Sequence, residues 1–284
     1  MALFTNQAQM TFGNTVVNSN IAVGEILDAL KAEKNATTET YSLGDTLTYV
    51  ISATNSSQNP ITSLTVTDNL GAYTLGLTTV YPLDYVVGSA LLYINGVLAT
   101  PPIESAGPPL VLSGITLPAG ASMVLVYNAT VNESALLASG SQITNTAIIT
   151  GVGIDEVEVS ETVTVLDTPD ITITKSIEPT PVSQGDRVTY RFLIQNFGNT
   201  PIIATDNAIV TDTFSPILTN LAVTFNGTAW TDGVEYNYSE ATGVFTTVGG
   251  QITVPAATYT QAPDGTVTVT PGTAVLEVSG NITI

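Results

Sequence analysis

The 284-residue sequence contains no cysteine and no histidine. The first absence excludes disulfides and thiolate metal sites. The second removes the commonest general base and the commonest transition-metal ligand. Cations are nearly as scarce: Lys plus Arg number 5 against 24 Asp plus Glu, a formal charge of −19. Such a surface repels phosphate backbones and anionic lipid, so nucleic acid is not an expected partner. No apolar run approaches the ~20 residues that span a bilayer, so no membrane insertion is expected. A Gly-rich phosphate loop, a nucleophile elbow and an acidic cluster at calcium-loop spacing are all missing. The expectation is therefore no metal, no cofactor and no conventional enzyme. The opening "FTNQAQMTFG" (4–13) has neither the basic head nor the apolar run of a signal peptide. That fits a mature form, export without such a peptide, or assembly in a cell that later lyses.

What remains is rich in hydrophobic residues (44%) and poor in charged ones (10%), which excludes a disordered tail. Thr, Val, Ile and Tyr abound, and Gly and Pro punctuate short runs. The pattern predicts an all-β fold with turns about every 8–12 residues. Two stretches repeat. "KNATTETYSLGDTLTYVISATN" (34–55) parallels "KSIEPTPVSQGDRVTYRFLIQN" (175–196), and "LTVTDNLGAYT" (64–74) parallels "AIVTDTFSPIL" (208–218). An Asn-Gly hairpin turn follows in each, within "LLYINGVL" (91–98) and "VTFNGTAW" (223–230). The expected organisation is an N-terminal donor strand over 1–22 and two β-sandwich domains, 23–167 and 168–284. The first is closed by its own last strand, about 143–165. "LDTPD" (166–170) serves as linker, with Pro169 as its breaker. "GEILDALKAEK" (24–34) has helical propensity, but its counterpart before Lys175, "DITIT", is strand-like, so strand or extended linker is the reading there.

The order of Lys-bearing strand, Gly-Asp-x-x-Thr-Tyr, Asn-ended strand and Val-Thr-Asp resembles the bacterial and archaeal surface repeat called domain of unknown function 11. The resemblance covers most of both repeats. It implies immunoglobulin-like sandwiches in a stalk or envelope protein, and no catalytic activity.

Period-two alternation places three polar residues among apolar ones. Lys175 shares a face with Ile171, Ile173 and Ile177, and Lys34 with Leu30, Ala32 and Ala36. Asp68 follows Leu64 and Val66, and Asp212 follows Ala208 and Val210. Asn145 lies in line with Ile143, Ala147 and Ile149. Lys31 has no counterpart and reads as solvated. A buried ammonium must lose its charge or find a partner. A desolvated Lys becomes a neutral nucleophile. A desolvated, protonated Asp could hydrogen-bond the Asn amide oxygen and help ammonia leave. Lys, Asp and Asn together are what an intramolecular isopeptide bond needs, by analogy with the self-cross-linked domains of Gram-positive pilins and adhesins. Singly, each residue also has a structural reading: Lys snorkelling, Asp capping a turn, Asn satisfying backbone groups.

The opening strand matches the strand closing the first repeat. "FTNQAQMTFG" sets Phe4, Asn6, Ala8 and Met10 where "ITNTAIITG" (143–151) sets Ile143, Asn145, Ala147 and Ile149. The second repeat, by contrast, shows no closing strand of its own before Ile284. The expectation is that residues 1–22 of one subunit complete the second domain of the next, head to tail. Closure within one subunit is disfavoured: residues 23–33 span about 36 Å at most, roughly the length of one domain. Expected cross-links are Lys34–Asn145 within a subunit, assisted by Asp68, and Lys175–Asn6 between subunits, assisted by Asp212. The sequence thus points to a self-assembling filament on a cell or spore surface whose partner is itself. The alternative is a monomeric surface adhesin or carbohydrate-binding module.

Overall fold

A computed structural model of the chain describes residues 2–26 and 29–283. Four short strands come first: β1 (Ala2–Asn6), β2 (Gln9–Phe12), β3 (Thr15–Asn18) and β4 (Ala22–Ile26). Then follow β5 (Leu30–Ala36), β6 (Thr40–Tyr41), β7 (Thr46–Asn55), β8 (Ile61–Asp68), β9 (Tyr73–Leu75), β10 (Thr78–Val80) and β11 (Leu83–Tyr85). The first repeat finishes with β12 (Leu91–Ile94), β13 (Val97–Leu98), β14 (Ile103–Ser105), β15 (Leu110–Leu117), β16 (Ser122–Val131), β17 (Gln142–Val152) and β18 (Val157–Val165). The second comprises β19 (Ile171–Glu178), β20 (Arg187–Asn196), β21 (Thr211–Thr213), β22 (Ile217–Phe225), β23 (Thr228–Trp230), β24 (Tyr236–Ser239), β25 (Val244–Thr247), β26 (Thr258–Gln261), β27 (Val267–Thr270) and β28 (Gly272–Thr283). The segment open to helix or strand, 24–34, is strand wherever it is described; residues 27 and 28 lie outside the described residues.

The chain divides into two compact units, residues 1–135 with 142–164, and 136–141 with 165–284. Unit 1 is a sandwich of two six-stranded sheets. One has the order β13-β12-β16-β7-β5, with β11 also on β16; the other is β14-β15-β8-β17-β18-β6. Alternation explains the packing. Along β7, Leu47, Tyr49, Ile51 and Ala53 point in and are buried, and along β16 so do Met123, Leu125, Tyr127 and Ala129. Across the core, Leu64 and Val66 of β8 and Ile143, Ala147 and Ile149 of β17 are likewise buried. The result is an all-β, immunoglobulin-like architecture.

Unit 2 repeats the order of the first sheet as β23-β22-β28-β20-β19, with the one strand β22 in the places of β11 and β12. Its second sheet is only β21-β25-β24. These three answer β8, β15 and β14, so β17, β18 and β6 have no counterpart there among the described residues. The consequence shows on β19. Ile171, Ile173 and Lys175, expected on an inward face, are exposed, whereas Lys34 on the matching β5 is buried. Their alternation is that of a core strand, but the layer that would cover them is not built by the unit's own described strands.

The repeated motifs have structural duties. Gly44 and Gly185 both take φ +84°, and the carboxylates of Asp45 and Asp186 accept from the Ser42 and Ser183 N–H groups at 2.7 Å. Gly-Asp is thus a turn-closing pair. Asn55 and Asn196, which end their strands, are buried and donate to backbone carbonyls: Asn59, Leu117 and Pro118 for the first, Thr200 and Pro255 for the second. The Asn-Gly pairs Asn95-Gly96 and Asn226-Gly227 have positive φ at both residues, as a tight hairpin turn demands.

The opening residues form a hairpin rather than a single strand. β1 pairs antiparallel with β4, and β2 with β3. Among the described residues these four strands pair only with one another. Phe4 and Met10 are 53% and 65% exposed, and Phe12, Val16, Val17, Ile21 and Val23 are also exposed. An isolated two-stranded hairpin is marginal in water, and a cluster of bare apolar side chains marks an interaction surface.

Candidate functional site

In unit 1, β5, β8, β16 and β17 each send one polar side chain into the core, where four functional groups meet. Lys34 Nζ lies 2.5 Å from Asp68 Oδ2, with the two side chains 0% and 1% exposed. The Tyr127 hydroxyl donates to that same carboxylate oxygen. Asp68 Oδ1 accepts from the Leu70 N–H at 2.9 Å. Asn145 Nδ2 donates to the Tyr127 hydroxyl oxygen at 3.4 Å, and its Oδ1 accepts from the Gly71 N–H at 3.2 Å. Strand register fixes the array: Ala147 of β17 faces Asp68 of β8, and Tyr127 of β16 faces Tyr49 of β7.

Two tyrosine rings wall the amine. Lys34 Nζ lies 4.9 Å from the Tyr49 ring centre and 5.9 Å from that of Tyr127. Burial pulls the Lys34 pKa below the usual lysine value, outweighing the attraction of Asp68 and the weaker one of Glu161. Burial likewise pushes the Tyr127 hydroxyl up, with the Asp68 charge adding to it, so Tyr127 keeps its proton and stays a donor. The Tyr49 hydroxyl is raised for the same first reason, with the Asn145 side chain acting the other way.

The array sets a buried amine beside a carboxylate, with the Asn145 amide joined to that carboxylate through the Tyr127 hydroxyl and its oxygen held by a backbone donor. One expected contact is different. The Asn145 amide oxygen is bonded by Gly71, not by Asp68, and Asp68 reaches Asn145 through Tyr127. The reason is the turn after β8: Gly71, at φ +70°, presents its N–H to the amide. Tyr127 and Tyr49 were not singled out from sequence. Their inward parity with Leu125 and Ala129, and with Leu47 and Ile51, was a usable signal, since a buried hydroxyl needs a partner.

In unit 2, Lys175 and Asp212 pair in the same way, but their side chains are 40% and 18% exposed. Lys175 Nζ lies 4.5 Å from the Tyr190 ring centre, 5.3 Å from Phe214 and 5.5 Å from Phe192. Tyr190 stands where Tyr49 does, but its register partner is Val278, so Tyr127 has no hydroxyl counterpart. Asn6 is exposed on β1, opposite Ala22.

The fold defines the class as immunoglobulin-like sandwiches in tandem. No protein-family model matches the chain, and no curated protein matches it. Among solved structures it is similar to the major pilin subunit BcpA of Bacillus cereus, with 15% identity over 95% of this chain and 73% of that one, at TM-score 0.39. It is also similar to the pilus backbone RrgB of Streptococcus pneumoniae, with 11% identity over 85% of this chain, at TM-score 0.35. A third likeness is the collagen-binding domain of a Staphylococcus aureus adhesin, with 9% identity over 49% of this chain and 99% of that domain, at TM-score 0.32. The chain spans 55% of the pneumococcal protein. At such identities and scores no residue role carries over.

Proposed function

We propose that this chain is the structural subunit of a self-assembling extracellular filament on a cell or spore surface. Subunits join head to tail, the N-terminal segment of one completing unit 2 of the next. The observation that carries this reading is the contrast between the two second sheets. That of unit 1 has six strands and covers a sealed Lys–Asp pair; that of unit 2 has three among the described residues and leaves the matching pair part-exposed. An open β21 edge and a bare apolar β19 are hazards that a donated strand removes. Donor and acceptor are different surfaces, so the contact propagates instead of closing.

The filament is locked by isopeptide bonds. In unit 1, Lys34 passes a proton to Asp68, and the neutral Nζ attacks Asn145 Cγ. The Gly71 N–H stabilises the developing oxyanion. The Cγ–Nδ2 bond breaks, the proton held by Asp68 goes to the leaving nitrogen, and one ammonia departs while Nζ gives its second proton back to Asp68. Tyr127 bridges the acid to that nitrogen. Packing supplies the effective concentration that an unactivated amide otherwise lacks. Between subunits, Lys175 takes the place of Lys34, Asp212 that of Asp68, and Asn6 of the neighbouring copy that of Asn145.

The test is assembled protein boiled in detergent. The expected result is a ladder of covalent multimers in the wild type, each bond having lost one ammonia by intact mass. Lys175→Ala should keep the fibres while the ladder collapses to monomer. A ladder unchanged in Lys175→Ala removes that lysine from the scheme. A chain that stays monomeric and binds saturably on a glycan array would replace the filament by an adhesin.

A further inference from the structure

The N-terminal hairpin carries a more specific assignment than donation of one strand. Four consecutive pairs of β1 with β4 are Leu3↔Glu25, Phe4↔Gly24, Thr5↔Val23 and Asn6↔Ala22. Each lies 139 positions before a pair of β17 with β18: Gln142↔Thr164, Ile143↔Val163, Thr144↔Thr162 and Asn145↔Glu161. A slip of one residue would turn every side chain to the other face. Equal register therefore puts Phe4 and Asn6 on the face where unit 1 carries Ile143 and Asn145. Toward the tip the pairing becomes Gln9↔Asn18, and the one extra residue falls between Asn18 and Ala22. The first strand keeps its alternation through Ala8 to Met10. Phe4 also covers Gly24 closely: a Cβ there would lie 2.3 Å from its ring. A large side chain on one strand and none on the other stand where unit 1 pairs Ile143 with Val163.

Charge fits the same destination. Residues 1–24 carry no ionisable side chain in a chain of formal charge −19. Within the donor hairpin only Glu25, at its base, carries a charged side chain, so the rest enters an acidic neighbour without side-chain repulsion.

Resting on the strand-donation reading, we propose that the donor is the whole hairpin, Ala2–Ile26, entering a second copy of this chain as a preformed two-stranded unit. Its first strand pairs antiparallel with β21, so that Ala8 faces Asp212 as Ala147 faces Asp68, and Gln9 faces Thr211 as Ile148 faces Thr67. Its second strand lies beside Thr180–Val182, as β18 lies beside β6. The completed sheet then has the six-strand order of unit 1. Val182 is already partly packed on the unit 2 core and becomes the edge.

The chain's lack of cysteine makes the test clean. Thr5→Cys with Val23→Cys staples the hairpin on its outer face, where the corresponding Thr144 and Thr162 hydroxyls are 2.9 Å apart. The expected result is fibre growth at the same rate oxidised and reduced. Arrest on oxidation with rescue on reduction means the strands must separate, and overturns the proposal. For register, Gln9→Cys with Thr211→Cys in a Lys175→Ala background should give a detergent-stable, reducible ladder, and Gln7→Cys with Thr211→Cys should not. The converse pattern overturns the register. If the wild-type chain forms no fibres at all, strand donation itself fails, a different outcome from either.

Discussion

At the residue scale, the proposed cross-link centre of unit 1 depends on Asp68, which accepts from Lys34, Tyr127 and the Leu70 N–H group. Asp68→Asn keeps the shape but removes the charge. Because it leaves a buried ammonium uncompensated, it should cost unit 1 about 3–5 kcal/mol, read as a lowered denaturation midpoint. It should also leave the Lys34–Asn145 bond unmade, so that intact mass retains the ammonia. Loss of ammonia at the wild-type rate would remove Asp68 from the chemistry. The proposed reaction also has a predictable pH dependence. Burial lowers the Lys34 pKa, and the neutral amine is the nucleophile. Cross-linking on refolding of unreacted chain should therefore accelerate as pH rises through that lowered value and level off before the ordinary lysine value. Over the same window the unfolded chain holds a proton that folded Lys34 has lost, so the unreacted fold also gains stability with rising pH. A rate, followed by intact mass, that climbs only at the ordinary lysine value contradicts this.

At the element scale, β17 is held both by its ladders and by the turn that follows β8. Gly71, at φ +70°, donates to Asn145, and a Cβ on it would lie 2.6 Å from Ile143 Cγ2. Gly71→Ala should strain that turn by about 1–3 kcal/mol and push Asn145 out of reach. Its signature is a thermal midpoint lowered together with slowed ammonia loss; an unchanged rate would mean that the Gly71 N–H is dispensable. Elements of this kind also show what could be read in advance. Strand faces were legible wherever both layers exist: the inward positions of Lys34, Asp68 and Asn145 follow from period-two alternation alone. Ile171, Ile173 and Lys175 share that alternation yet are exposed, because alternation records where a face is meant to be buried, not which chain buries it. The hairpin was legible only in part. The likeness of Asn6 to Asn145 lies in the letters, but β4 carries Ala22 and Gly24 where β18 has Glu161 and Val163, so the second strand left no matching pattern. Tyr127 escaped because a tyrosine among apolar residues looks like ordinary core until its hydroxyl is placed against Asp68.

For the whole molecule, the proposed assembly rests on the contrast between a second sheet of six strands in unit 1 and one of three in unit 2 among the described residues. The hairpin carries bare Phe4, Met10 and Phe12, each worth about 1.5–3 kcal/mol on full burial. In the proposed filament their covering, with the closing of the β21 edge, drives assembly, and an isopeptide bond then makes dissociation negligible. The most direct measurement separates donor from acceptor. A chain lacking residues 2–26 is mixed with a peptide spanning 1–26, and binding is followed by calorimetry and intact mass. The account predicts that the shortened chain forms no fibres, binds one equivalent of peptide, and gains an adduct equal to the peptide less one ammonia, lost in Lys175→Ala. Fibres from the shortened chain, or a peptide that does not bind it, would contradict the account.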